Sequence, residues 1–161
     1  MTQEKILPLD ALVARLAEHR RRGERIILAN GCFDLLHVGH IRYLEAAKAL
    51  GGLLVVAVND DASVERLKGA GRPLLPAADR ARLVAALRAV AYVVVFGEST
   101  VAGLLERLRP DIHAKGTDYT PQSVPERDIA RQVGAQVAIV GDPKQHSTRE
   151  LIGEILRRFR R

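Results

Sequence analysis

Two histidines, His37 and His40, are separated by one valine and one glycine and form the most distinctive chemical feature of the sequence. They follow an apolar run and stand where a helical pattern begins, and residues three apart on a first helical turn point to one side. A helix N-terminus offers free amides and partial positive charge, which both favour phosphate. Gly31 and Gly39 allow a ligand or neighbouring backbone to approach closely. The pattern therefore predicts a polyphosphate site.

Other interpretations of these residues stay open from their types and spacing alone. A buried, hydrogen-bonded histidine is an ordinary structural feature, although two with a glycine between them are less usual. A zinc site would need a third ligand, such as Asp34 or His113. Cys32, the single cysteine, cannot form an internal disulfide and could be a nucleophile.

Hydrophobic periodicity predicts the elements that position these residues. Continuous apolar runs, typical of buried strands, occupy 26–29, 53–58, 92–96, 112–115 and 136–140. Helical patterns occupy 9–22, 40–50, 62–67, 79–90, 100–108, 126–132 and the segment from Ser147 onward. The alternation predicts an α/β fold: a doubly wound, Rossmann-like, five-stranded parallel sheet with helices on both faces. Ligands of such folds lie beyond the carboxyl ends of the strands, which here brings together 30–40, 59–60, 96–100 and 115–119.

The final helix has a clear start and a clear apolar face. Ser147 and Glu150 fit a capping box, in which each residue satisfies a backbone amide of the other. We expect the helix to bury its apolar residues in the core: Leu151, Ile152, Ile155, Leu156 and Phe159.

Composition limits the classes of protein. The 161 residues suit one domain, 1–161, in which residues 1–23 form a lead-in helix. No apolar run is long enough to span a membrane and the first ten residues lack a secretory pattern, so we expect a cytoplasmic protein. The net charge is +6, but its clusters at 20–22 and 157–161 lie at helix ends and aromatic residues are few, so we expect no nucleic-acid partner.

The histidine segment resembles a known family. His37-Val-Gly-His40, preceded by Gly-Cys-Phe-Asp-Leu-Leu, is similar to the His-x-Gly-His signature of the cytidylyltransferase-like nucleotidyltransferases. The resemblance implies that both histidines contact a triphosphate and stabilise the charge of the transition state. It also implies that Cys32 is a small packed residue. The nucleotide-binding residues that it implies are Gly31, Cys32, Phe33, Gly39, Asn59, Gly116, Asp118, Ser147 and Thr148.

Two further cations match the family's pattern. Lys68, beside Gly69, would ordinarily be a solvated loop lysine, but the resemblance implies that it reaches the phosphates. Arg80 resembles the arginine of the family's Glu/Gln-Arg pair, which approaches the phosphate of the acceptor substrate. Lys144 and His146 stand where the family often carries an arginine.

The segment Lys115-Gly-Thr-Asp-Tyr119 resembles one found in heptose 1-phosphate adenylyltransferases more than the Gly-Asp-Asp type of the glycerol phosphate enzymes. Asp118 can accept hydrogen bonds from a base or a sugar, whereas Lys115 can simply pair with a carboxylate. The resemblance implies transfer of AMP from ATP, accompanied by Mg²⁺, to a sugar 1-phosphate, heptose 1-phosphate, which gives ADP-heptose and pyrophosphate for surface-glycan synthesis. It also implies a homodimer or a higher homo-oligomer. The alternatives are a cytidylyltransferase that uses CTP and glycerol 3-phosphate, and a regulatory nucleotide-binding domain.

Overall fold

A five-stranded parallel sheet organises the chain, as the sequence predicts. The computed structural model describes residues 1–143 and 147–160. The strands are β1 (Ile26–Gly31), β2 (Leu53–Asn59), β3 (Tyr92–Phe96), β4 (Ile112–Lys115) and β5 (Gln136–Ile139). The strands lie in the order β3-β2-β1-β4-β5. This order reverses at β1, so the switch point lies where β1 ends and the histidine segment begins.

Helices cover both faces of this sheet. After a 3₁₀ turn (Thr2–Lys5) come α1 (Leu9–Arg21), α2 (Val38–Ala49), α3 (Asp61–Lys68), α4 (Ala77–Ala85), α5 (Ala102–Leu108), α6 (Arg127–Gln132) and α7 (Thr148–Phe159). The prediction that α4 reaches Val90 is wrong. The chain after Ala85 tightens into turns, and Lys5 Nζ binds the carbonyl oxygens of Leu87 and Val90 at 3.5 and 2.8 Å.

Alternate residues of β1 point to opposite faces of the sheet and pack in two apolar layers, one on each face. Ile27 and Ala29 pack in the layer that contains residues of α2 and α4, such as Leu44 and Val84. Ile26 and Leu28 pack in the other, with Leu12 and Leu16 of α1, Leu104 and Leu105 of α5 and Ala130 of α6. Full burial of one such side chain contributes roughly 1.5–3 kcal/mol.

The expectation that α7 buries its apolar face is wrong. No residue of α7 is buried, and Ile155, Leu156 and Phe159 are 52%, 55% and 77% exposed. Helical periodicity identifies an apolar face but does not show that the same chain supplies its partner. None of the described helices is long and apolar enough to cross a membrane.

Candidate active site

A cleft of about 860 Å³ opens at the carboxyl ends of the strands. Most of the residues that the sequence singles out line it: Gly31, Cys32, Phe33, His37, Gly39, His40, Asn59, Lys68, Gly116, Asp118, Ser147 and Thr148. Parallel strands end at the same edge of the sheet, so segments far apart in the sequence meet here. The contacts of these residues with a ligand stay predictions.

The two histidines form the N-terminal cap of α2. The N–H of Gly39 donates to His37 Nδ1 at 3.1 Å, and the N–H of His37 donates to His40 Nδ1 at 3.3 Å. The rings stack with their centroids 3.8 Å apart. Because both Nδ1 atoms accept, the neutral rings carry their protons on Nε2, so each is a hydrogen-bond donor on the far side of the ring.

The segment that leads into this cap has an unusual backbone. Phe33 and Leu35 have φ of +49° and +42°, a left-handed conformation that costs energy in residues other than glycine. The Phe33 ring is 3% exposed and lies 5.2 Å from the His40 ring between centroids. A Cβ on Gly31 would approach the Phe33 ring to 3.1 Å, so glycine leaves room for that ring.

Neither third ligand considered for zinc is placed to serve. Asp34 accepts hydrogen bonds from the N–H groups of Leu74 and Leu75 and pairs with Arg72 at 2.8 Å, while His113 contacts Asn30. Within 1–143 and 147–160, no three His, Cys, Asp or Glu side chains are grouped so that they could hold a metal ion.

The Asp34 carboxylate also holds the loop between α3 and α4 in place through its hydrogen bonds to that loop. Burial works to raise the pKa of its carboxyl, but the backbone N–H groups of Leu74 and Leu75 and the Arg72 guanidinium outweigh burial and hold that pKa below its usual value. The Thr148 hydroxyl donates to the backbone carbonyl oxygen of Asp34 at 3.4 Å. The loop that follows Lys68 and the start of α7 are therefore both attached to the histidine segment.

Cys32 has the surroundings of a packed residue. Burial raises the pKa of its thiol, with the nearby cations Lys68, Arg80 and Arg72 opposing that effect. A raised pKa disfavours the thiolate that a nucleophile needs. The Sγ atom lies 3.9 Å from Asn59 Oδ1, so the thiol packs against the end of the neighbouring strand.

The structure corrects the prediction for Arg80. Its side chain is fully buried and does not line the cleft. The guanidinium donates to the carbonyl oxygens of Leu75, Cys32 and Asn59 at 2.6–2.8 Å and pairs with Asp61 at 2.7 Å. These bonds join the ends of β1 and β2 beneath the cleft, so Arg80 positions the site rather than contacting a substrate phosphate.

The start of α7 closes another side of the cleft. Ser147 Oγ accepts from the N–H of Glu150 at 3.1 Å, and Glu150 accepts from the N–H of Ser147 at 2.9 Å, so the predicted capping box is confirmed. Lys144 and His146 lie outside the described residues.

Sequence reasoning did not predict the burial of two polar groups: His113 in β4, which it considered only as a zinc ligand, and Glu126. His113 is fully buried, and its Nε2 lies 3.1 Å from Oδ1 of Asn30 in the cleft wall. Burial, and secondarily Lys115, lowers the pKa of His113 to about 3, so this ring is neutral near neutral pH. Its position in a four-residue strand was the only signal in the sequence.

The second missed group is Glu126, which precedes α6. Lys115 pairs with it, as the sequence allowed, at 3.9 Å between Nζ and Oε2, and the two side chains are only 7% and 6% exposed. Lys115 Nζ also lies 4.4 Å from the centroid of the Tyr119 ring. Burial lowers the pKa of Lys115, while Glu126 and Asp118 oppose that change.

Comparison of the sequence with protein-family models identifies the family to which the chain belongs. The model described as Cytidylyltransferase-like matches residues 28–151, which include the histidine pair, Lys68 and Ser147. The chain belongs to the cytidylyltransferase-like family. The match confirms the superfamily that the histidine signature predicted.

Two curated relatives are similar to this chain over nearly its whole length. The "Bifunctional protein HldE" of Geotalea uraniireducens is 48% identical over 151 residues, and that of Geobacter metallireducens is 46% identical over 155. These matches cover 94% and 96% of this chain but 31% and 32% of those proteins, so the chain spans about a third of their length.

Among solved structures, a lipopolysaccharide core biosynthesis protein from Thermoplasma volcanium is similar, with a TM-score of 0.64 and 27% identity over 76% of this chain and all of that one. Pantoate-beta-alanine ligase from Francisella tularensis has a TM-score of 0.67 at 14% identity, covering 91% of this chain and 72% of that one. The second likeness shows the fold alone.

Proposed function

We propose that this chain transfers AMP from ATP to a sugar 1-phosphate, with heptose 1-phosphate as the acceptor, and releases pyrophosphate. The observation that carries the proposal is the cap of α2, where His37 and His40 both accept backbone N–H bonds at Nδ1 and so keep Nε2 as donors. The resemblance of the Lys115–Tyr119 segment to heptose 1-phosphate adenylyltransferases supports a heptose acceptor, and the name of the similar Thermoplasma protein supports a role in surface-glycan synthesis. We expect the reaction in the cytoplasm.

The reaction needs positioning more than acid–base chemistry. An oxygen of the acceptor's phosphate attacks the α-phosphorus of ATP, and the bond from that phosphorus to the bridging oxygen of the pyrophosphate breaks. A phosphate monoester is already an anion near neutral pH, so no base is required. His37, His40, Lys68 and the amides at the start of α2 stabilise the charge that develops on pyrophosphate.

Magnesium fits this site as a partner of the nucleotide. The described residues hold no cluster of three ligating side chains, and Mg²⁺ prefers phosphate oxygens and water to an all-protein cage. When bound to the triphosphate it would neutralise part of the phosphate charge. Asp118 and Glu150 are carboxylates in the cleft wall that could contact its water shell.

The test is a matrix of two nucleotides and two acceptors. ATP and CTP are each offered with heptose 1-phosphate and glycerol 3-phosphate, and pyrophosphate release is measured. The proposal expects release with ATP and heptose 1-phosphate. Release with CTP and glycerol 3-phosphate would support the cytidylyltransferase, and release from no pair would support a binding domain without turnover.

We also propose that the chain forms a homodimer through the apolar face of α7, which comprises Leu151, Ile155, Leu156 and Phe159. Their exposed side chains would otherwise leave a contiguous apolar surface in water. Acidic Glu150 lies at the start of the helix, and basic Arg157 and Arg158 lie near its end. An antiparallel pair of α7 helices related by a two-fold axis would therefore bring opposite charges together.

A further inference from the structure

Glu126 combines deep burial with an unsatisfied oxygen. The residue is 6% exposed and lines the cleft. Its Oε1 lies 3.5 Å from the N–H of Val101, at the start of α5. Its Oε2 has no hydrogen-bond partner among the described residues and is 3.9 Å from Lys115 Nζ, too far for a hydrogen bond.

The two sides of the cleft come from opposite layers of the fold. The histidines begin α2, whose Leu44 packs on one face of the sheet. Glu126 precedes α6 and contacts the start of α5, and these helices pack on the other face. Glu126 therefore lies across the edge of the sheet from the histidine pair.

The in-line geometry of the reaction indicates which substrate lies on each of these two sides of the cleft, the side of the histidine pair and the side of Glu126. The attacking oxygen must approach the α-phosphorus from the side opposite the departing pyrophosphate. If pyrophosphate leaves toward the histidine wall, the acceptor occupies the wall formed by Glu126, Lys115 and the start of α5. Ser99 and Thr100 also line the cleft on this side and add hydroxyl groups.

The chemistry of Glu126 indicates what part of the acceptor lies there. A carboxylate oxygen buried without a donor carries a desolvation cost, which a ligand that brings a donor can recover. A phosphate would be repelled by this carboxylate, whereas a sugar hydroxyl would donate to it. Lys115 offsets the charge of Glu126 without using the lone pairs of Oε2 in a hydrogen bond.

We propose that Glu126 is a specificity-determining residue that accepts hydrogen bonds from hydroxyl groups of the acceptor sugar, with Lys115 as its charge partner. The proposal rests on the function proposed above. It extends the site to a residue outside the histidine signature and outside the Lys115–Tyr119 segment.

The test separates acceptor binding from nucleotide binding and from folding. Glu126→Gln removes the charge, and Glu126→Asp keeps the charge beside Lys115 but withdraws it by one methylene. Asp128→Asn, which changes an exposed carboxylate two residues further along the chain, in α6, is the matched control. KM for heptose 1-phosphate, KM for ATP and Tm are measured for each variant.

Both Glu126 variants should raise the KM for heptose 1-phosphate about tenfold or more, since a hydrogen bond to a charged group contributes roughly 1.5–3 kcal/mol. The KM for ATP should change less than twofold, and Asp128→Asn should match the wild type. An unchanged sugar KM, or equal rises in the KM of both substrates, would overturn the proposal while leaving the proposed reaction intact. A wild-type protein that releases no pyrophosphate would overturn both.

Discussion

His37 and His40 are linked through the backbone of the helix they cap: the N–H of His37 donates to His40 Nδ1 at 3.3 Å, and the two rings stack 3.8 Å apart. Moving one ring therefore disturbs the other. The same contacts that begin α2 also select the protonated nitrogen of each ring. The two side chains that cap the helix are thus the same two to which we assign phosphate recognition.

The first prediction separates these two roles. Asparagine is a favoured N-cap residue, so His37→Asn should preserve the start of α2 while removing the imidazole donor. We expect Tm to stay close to that of the wild type and the rate of pyrophosphate release to fall on the order of 10²–10³-fold. A variant that loses its fold, or one that turns over normally, would contradict this division of roles.

The second prediction concerns Arg80, whose guanidinium bonds to three carbonyl oxygens and one carboxylate. Lysine cannot reproduce that planar set of donors. Arg80→Lys should lower the free energy of unfolding by about 3 kcal/mol, as expected when a buried charged network is broken.

Arg82→Lys is the control on the same helix, because Arg82 is exposed and exposed substitutions change stability by only about 0.5 kcal/mol. Urea denaturation measures both variants. Equal stability of the two would mean that the Arg80 network contributes little.

The third prediction is a pH dependence of stability caused by His113. Its pKa is about 3 in the folded protein and about 6.5 in an unfolded chain, so the unfolded state binds the extra proton between these values. The free energy of unfolding should therefore fall as pH falls from about 6.5 toward 3, by up to about 1.4 kcal/mol per pH unit from this group.

His113→Gln removes the titrating ring and keeps an N–H donor for Asn30. The difference in unfolding free energy between wild type and variant should then change with pH across that window, as measured by urea denaturation at several pH values. A constant difference would show that His113 does not carry this dependence.

The fourth prediction tests the exposed face of α7. The wild type should sediment as a dimer at micromolar concentration, and a double variant, Ile155→Glu with Leu156→Glu, should sediment as a monomer of similar Tm. Analytical ultracentrifugation provides the measurement. A monomeric wild type would refute the proposed interface, and a dimeric double variant would place the contact elsewhere.

The sequence predicted the sheet and the cleft because both follow from local rules. Apolar runs such as Leu53–Asn59 can be buried on two faces only in a covered parallel sheet, and the carboxyl ends of such strands share one edge. The position of the histidine pair at the start of α2 was also predicted, although the helix begins at Val38 rather than at His40 and the capping contacts of the two rings were not foreseen.

The sequence did not predict features that depend on a distant partner. Arg80 looks like any helix arginine until the carbonyl groups of Cys32 and Asn59 are seen to converge on it. Glu126 opens a predicted helical pattern, but periodicity does not indicate which distant side chain a residue meets, so its pairing with Lys115 was not foreseen. The apolar face of α7 was recognised correctly, but its lack of a partner within the chain was not.

The central claim is that the imidazole pair binds and activates the triphosphate of ATP. The most direct measurement is the single-turnover rate of pyrophosphate release from ATP and heptose 1-phosphate, for the wild type and for His40→Ala. The account predicts release by the wild type and a rate at least about 10²-fold lower in a variant that is still folded. Equal rates for the two proteins would contradict it.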